Sequence, residues 1–134
     1  LRIFPDTNVL FSAFASRGLG ADLFEVIVLE HALITGKAVL AELRQSLQQE
    51  IRLPARRCEE IVEFLRGAAA TCVQSSSPIS AAVDADDAVI LGEAVSGRSE
   101  IFVTGDAGVQ RLAELDQMKI LSPRNLWDYL HSGT

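Results

Sequence analysis

Acidic residues stand at places in this sequence where they could work together. Asp6 follows Ile3-Phe4-Pro5, and Asp106 follows Ile101-Phe102-Val103-Thr104-Gly105. Each therefore falls where a short apolar run has ended and a helix is about to begin. In an open parallel sheet, ligands bind beyond the carboxyl ends of the strands. The same positions also suit an Asp that only caps a helix or completes a turn. At about 100° per residue, Val39, Leu40, Leu43 and Leu47 form an apolar helical stripe, with Glu42 about 60° outside one edge. Glu42 can thus border a cleft or face solvent, whereas Gln45 and Gln48 point away. Asp84 reads as a helix N-cap with Asp87 three residues on, where negative charge is welcome. Asp87 falls beside Leu91 and Ala94 on a helix that is apolar around most of its circumference. A carboxylate there is costly unless it is paired or binds a cation. Asp86 shares the azimuth of Glu93 and is expected in solvent.

Carboxylates that converge on one cleft repel each other, which raises their pKa values or draws in a cation. Hard divalent ions such as Mg²⁺ and Mn²⁺ take oxygen ligands and often also bind phosphate. Other chemistries find little support. There is no His/Cys spacing for zinc, and His31 and His131 lie far apart in the chain. Gly18-Leu19-Gly20 does not follow a strand and lacks the lysine of a phosphate loop, and no serine sits in a nucleophile elbow. An Asp-nucleophile phosphatase at Asp6 is disfavoured, because Asp6-Thr7-Asn8 has no second Asp two residues on and no partner lysine follows a later strand. Metal-assisted hydrolysis of a phosphate ester fits best.

The elements that must position these acids alternate along the chain. Strands are expected at 3–4, 32–35, 71–73, 101–103 and 119–121. Helices are expected over 21–29, 37–49, from Pro54 to about Gly67, over 84–96 and 107–115, and after Ser122-Pro123, with Arg17-Gly18-Leu19-Gly20 as a loop. Strands alternating with helices imply crossover connections and a parallel sheet covered on both faces. The 134 residues, 49% of them hydrophobic, fit one α/β domain over 1–134. No apolar run is long enough to span a bilayer and no secretory signal is seen, so the expected compartment is cytoplasmic. The net charge of −6 argues weakly against nucleic acid. Two points temper this: ten of the twelve basic residues are arginine, and acids gathered at one metal site would make a place for phosphate.

Asp6-Thr7-Asn8-Val9-Leu10 at the start, Glu42 on a following helix, Asp87 at a helix start and Thr104-Gly105-Asp106 after a strand together resemble the PIN domain. The resemblance covers the chain in order and spacing, and is closest to the stand-alone VapC-like toxin ribonucleases. It implies a three-layer α/β/α fold with a central parallel sheet of about five strands, the first strand central and the acids at its carboxyl edge. It also implies Mg²⁺- or Mn²⁺-dependent cleavage of RNA. Asp6, Glu42, Asp87 and Asp106 match the family's acidic quartet, which would hold the metal, and Asn8 and Thr104 match its polar supporting positions. The implied partners are an antitoxin protein and a second copy in a homodimer. Within the same family, the alternatives are a PIN nuclease of RNA processing and a non-catalytic interaction module. Two features depart from the pattern or blur it. Pro5 precedes Asp6 where an apolar strand residue is usual, and Asp84 lies one turn before Asp87, so it could share the third acidic role.

The remaining signals read as structural. Arg56 and Glu60 have the spacing of a helix-surface ion pair, which outweighs a phosphate contact for the Arg52, Arg56 and Arg57 group. Arg17 and Lys37 are expected in or beside loops near the acidic cleft. Trp127 reads as a core anchor, and Cys58 and Cys72 as small hydrophobes. No basic residue is seen close after Asp106.

Overall fold

A computed structural model describes residues 1–81 and 83–132. Six strands form one sheet: β1 (Arg2–Pro5), β2 (Ala32–Gly36), β3 (Thr71–Val73), β4 (Ile101–Val103), β5 (Glu114–Leu115) and β6 (Met118–Leu121), in the order β3-β2-β1-β4-β6-β5. All neighbours run parallel except β5 and β6. Ile3 of β1 pairs with Leu33 on one side and Ile101 on the other, so the first strand is central. Ile3, Phe4, Leu33, Ile34, Ile101, Phe102 and Val103 are all buried, as unbroken apolar runs must be in a sheet covered on both faces. The Phe4 and Phe102 rings stack across β1 and β4 with centroids 5.6 Å apart.

Helices flank the sheet. Helices α1 (Thr7–Ala15) and α2 (Leu19–Glu30) connect β1 to β2, and α3 (Lys37–Glu50) and α4 (Ala55–Ala68) connect β2 to β3. Helix α5 (Ala85–Ser96) leads to β4, α6 (Ala107–Gln110) follows β4, and α7 (Pro123–His131) follows β6. The α3 stripe of Val39, Leu40, Leu43 and Leu47 is buried, as its periodicity requires. Ser122 caps α7 by accepting the Asn125 N–H at 3.0 Å, with Pro123 in the first turn where its missing donor is harmless. Arg56 and Arg57 both approach Glu60, at 3.9 and 3.5 Å, so these two arginines pair along the helix surface. Trp127 is only partly buried and stacks on His131 at 4.0 Å, while Cys58 is buried and Cys72 partly so. No helix among the described residues is long and apolar enough to cross a membrane.

Three stretches depart from the expectations. Helix α2 begins inside the expected loop, at Leu19, directly after Gly18 takes the positive φ of 130° that glycine tolerates. Thr7–Ala15, which lies outside every expected helix, forms α1. The helix expected over 107–115 stops at Gln110, and the chain instead forms an antiparallel hairpin, making a sixth strand beyond the expected five or so. Asp116 and Gln117, the two residues between β5 and β6, both have positive φ, at 49° and 68°, which matches the twist of a two-residue hairpin turn. The turn lacks the Asn-Gly or Asp-Gly pair that usually marks such a hairpin, so its residues do not announce it.

Candidate functional site

The strand order fixes where a ligand can enter. From β1 the chain moves outward to β2 and β3, then returns across to β4 on the other side of β1. The connections therefore part company between β1 and β4, and a crevice opens at the carboxyl ends of those two strands. Asp6 and Asp106 flank it.

Both do the structural work of an N-cap, and both also face the crevice. The Asp6 carboxylate accepts the Thr7 N–H at 2.8 Å on one oxygen. Its other oxygen accepts the Thr104 hydroxyl at 2.7 Å and the Asn8 side-chain amide at 3.2 Å. Asn8 in turn accepts the Gly105 N–H at 2.8 Å, and Thr104 Oγ1 accepts the Asp106 N–H at 3.0 Å. Asn8 and Thr104 thus lock the end of β1 to the end of β4 and set both aspartates in place. Asp106 accepts the Gly108 N–H at 2.7 Å with a single carboxyl oxygen. Pro5 fits this arrangement. It closes β1 opposite Val103, and Asp6 next to it donates its own N–H to the Val103 carbonyl at 2.8 Å.

Asp6, Glu42, Asp87 and Asp106, carried by four separate parts of the chain, line one cleft of about 260 Å³. Thr7, Asn8, Phe11, Ser46 and Glu50 complete its walls. Glu42 and Asp87 are half-buried, and neither has a hydrogen bond or ion pair among the described residues. The four ion pairs among the described residues all involve Glu59, Glu60 or Glu63, so none neutralises a cleft acid. The electrostatic result is direct. Burial pushes the Asp87 carboxyl up to about 6, helped by the charges of Asp6, Asp106, Asp84 and Glu42. Asp6, only 5% exposed, is also raised, by burial first. The Thr104 and Thr7 hydrogen bonds pull it back, while Glu42 and Asp106 add to the rise. Every donor facing the cleft is oxygen, which suits a hard dication. Thr7 Oγ1, buried in its wall, has no hydrogen-bond partner. Among the described residues, no group of three or more Asp, Glu, His or Cys side chains is already set to hold an ion.

Asp84 sits at the N-cap position of α5 but makes no capping hydrogen bond with its side chain. It lines a neighbouring cleft of about 640 Å³ that also includes Asp87, Asp106 and Arg111. Asp86 is exposed and borders neither cleft. Arg17 and Lys37, expected near the acids, do not line the cleft either.

Sequence reasoning missed several residues. Ser46 and Glu50 follow Glu42 at i+4 and i+8, about 40° and about 80° further round the helix, a spacing the sequence already contained. Arg111 was hidden by the overlong helix expected there. Glu93 is buried at 3% exposure, although Asp86 on the same azimuth is in solvent. It accepts the Ala38 and Val39 N–H groups at 2.6 and 3.1 Å and so caps α3 from outside. Burial raises its pKa, and those two hydrogen bonds oppose the rise.

No family model matches the sequence, and no curated protein matches it. Among solved structures, a chain in the crystal structure of VapBC2 from Rickettsia felis bound to a DNA fragment from their promoter superposes with a TM-score of 0.64. The superposition covers 91% of this chain and 98% of that one, at 11% identity. The two chains share a fold. That fold is a mixed α/β arrangement with a central, mostly parallel six-stranded sheet flanked by helices.

Proposed function

We propose that the chain is a metal-dependent endoribonuclease of the PIN type, acting as the toxin of a toxin–antitoxin pair. The observation that carries this reading is the cleft itself. Asp6, Glu42, Asp87 and Asp106 meet at the sheet's switch point, and among the described residues no basic side chain is paired with any of them. Such a set holds a cation or pays for its own repulsion in raised pKa values.

Asp6, Glu42, Asp87 and Asp106 would hold Mg²⁺ or Mn²⁺, and the Thr7 hydroxyl is a further oxygen in the same wall. Glu42 and Asp87, which make no hydrogen bond or ion pair among the described residues, would be free to turn toward such an ion. When bound, such an ion supplies Lewis acidity toward water and the scissile phosphate. The chain's own contribution is positional. Asn8 and Thr104 hold Asp6 and the Asp106 backbone at fixed places, so the acids need little reorganisation. Asp87, whose pKa is raised to about 6 by burial and by the neighbouring acids, is the carboxyl whose charge a cation would relieve most.

The toxin role rests on the fold shared with a VapBC2 chain and on an exposed apolar face that suits a protein partner. Phe14, Phe24 and Phe64 form an aromatic cluster beside Leu29, which is 73% exposed, and Phe64 is 53% exposed. Exposed apolar groups gathered in one place mark interaction surfaces. The reading includes a small antitoxin, a homodimer and a cytoplasmic location.

RNA cleavage with Mn²⁺ or with EDTA tests the activity. The parent cleaves only with metal, and Asp6→Asn and Asp106→Asn each lose about a hundredfold or more, the scale for removing a charge-stabilising group. Substituted proteins that cleave as well as the parent would overturn the assigned roles.

A further inference from the structure

We infer that Arg111 is a substrate-positioning residue that grips a phosphate of the RNA strand next to the one being cleaved. The inference rests on the nuclease reading above and names how the substrate is held. The two clefts share Asp87 and Asp106 in their linings, so they lie side by side with these acids between them. Among the described residues lining either cleft, Arg111 is the one cation. It is exposed and pairs with no carboxylate, although Asp84, Asp87 and Asp106 line the same cleft.

Its backbone is well placed for such a role. Arg111 ends α6, whose start is capped by Asp106, and Gln110 donates its side-chain amide to the Thr104 carbonyl at 2.8 Å. The same short segment therefore carries an acid at one end and Arg111 at the other, with its backbone tied to the end of β4 through Asp106 and Gln110. On a chain of net charge −6, a polyanion is held best where a local cation lies beside the acidic centre. A planar guanidinium suits a phosphate oxygen pair.

The test uses the whole chain and two readouts. For Arg111→Ala, KM for a single-stranded RNA rises about tenfold while kcat stays within about twofold, and Arg111→Lys recovers most of the loss. In EDTA, where no cleavage occurs, the anisotropy of a fluorescein-labelled RNA oligonucleotide shows about tenfold weaker binding by Arg111→Ala. The slope of log affinity against log salt falls by about 0.7, the value for one phosphate contact on a single strand. Parent-like KM and affinity in Arg111→Ala, from a parent that cleaves, overturn the inference and leave the nuclease reading intact. So does a fall in kcat alone. A parent that binds RNA through Arg111 without cleaving it supports the grip and sinks the nuclease reading. A parent that neither binds nor cleaves RNA overturns both.

Discussion

Asp87 shows how charge placed for function costs stability. An ordinary aspartate titrates at 3.8, whereas Asp87 is pushed up to about 6 by burial and by four neighbouring acids. The folded state therefore holds the Asp87 proton more tightly than the unfolded chain does. Its contribution to stability is complete below pH 3.8 and is lost as pH rises through about 6. Asp6 is raised as well and acts in the same direction. In EDTA, Asp87→Asn is expected to have a higher Tm than the parent at about pH 8 and a similar one at about pH 4. Thermal unfolding at the two pH values checks this, and a variant less stable than the parent at the higher pH would show that the charge is not strained. Asp6→Asn is a poorer probe, because the Asp6 carboxylate also organises Thr7, Asn8 and Thr104.

At the scale of elements, the site depends on helices held by groups outside themselves. Gly36 stands at the N-cap of α3 and offers no side chain, so Glu93 reaches across from α5 to accept the Ala38 and Val39 N–H groups. A Cβ at Gly36 would run into the Glu93 carboxylate, so the bare position and the buried acid require each other. Glu93→Ala leaves one buried and one partly buried N–H group unmet and should cost about 1–3 kcal/mol in urea unfolding, with Glu93→Gln losing less. Because α3 carries Glu42, RNA cleavage should fall as well. An Ala variant as stable and as active as the parent would remove Glu93 from the account.

The same elements explain what the sequence could show. Asp6 and Asp106 were legible because apolar strands end at them, and Glu42 and Asp87 because helical periodicity places them against buried faces. The β3 and β4 boundaries followed from short apolar runs with turn residues around them. Glu93 was not legible, since a polar residue on a helix reveals its partner only when another helix packs over it. The hairpin after α6 was hidden because Asp116 and Gln117 adopt positive φ without glycine. That error also concealed Arg111.

On the scale of the whole molecule, an acidic chain is reconciled with a polyanionic substrate by where the acids sit. The sheet order brings the ends of β1 and β4 together, while α3 adds Glu42 and Glu50 and α5 adds Asp87 to the crevice between them. Asn8 and Thr104 hold Asp6 and the Asp106 backbone at the ends of the buried strands β1 and β4, so these two acids stay close together. Their repulsion is then available to attract a cation. Calorimetric titration of the EDTA-stripped protein with Mn²⁺ tests this most directly. The account predicts saturable binding in the parent, weakened about tenfold or more in Asp6→Asn and in Asp106→Asn, and unchanged in Asp86→Asn, whose carboxylate lies outside the cleft. No binding in the parent, or equal binding in all four proteins, would contradict it.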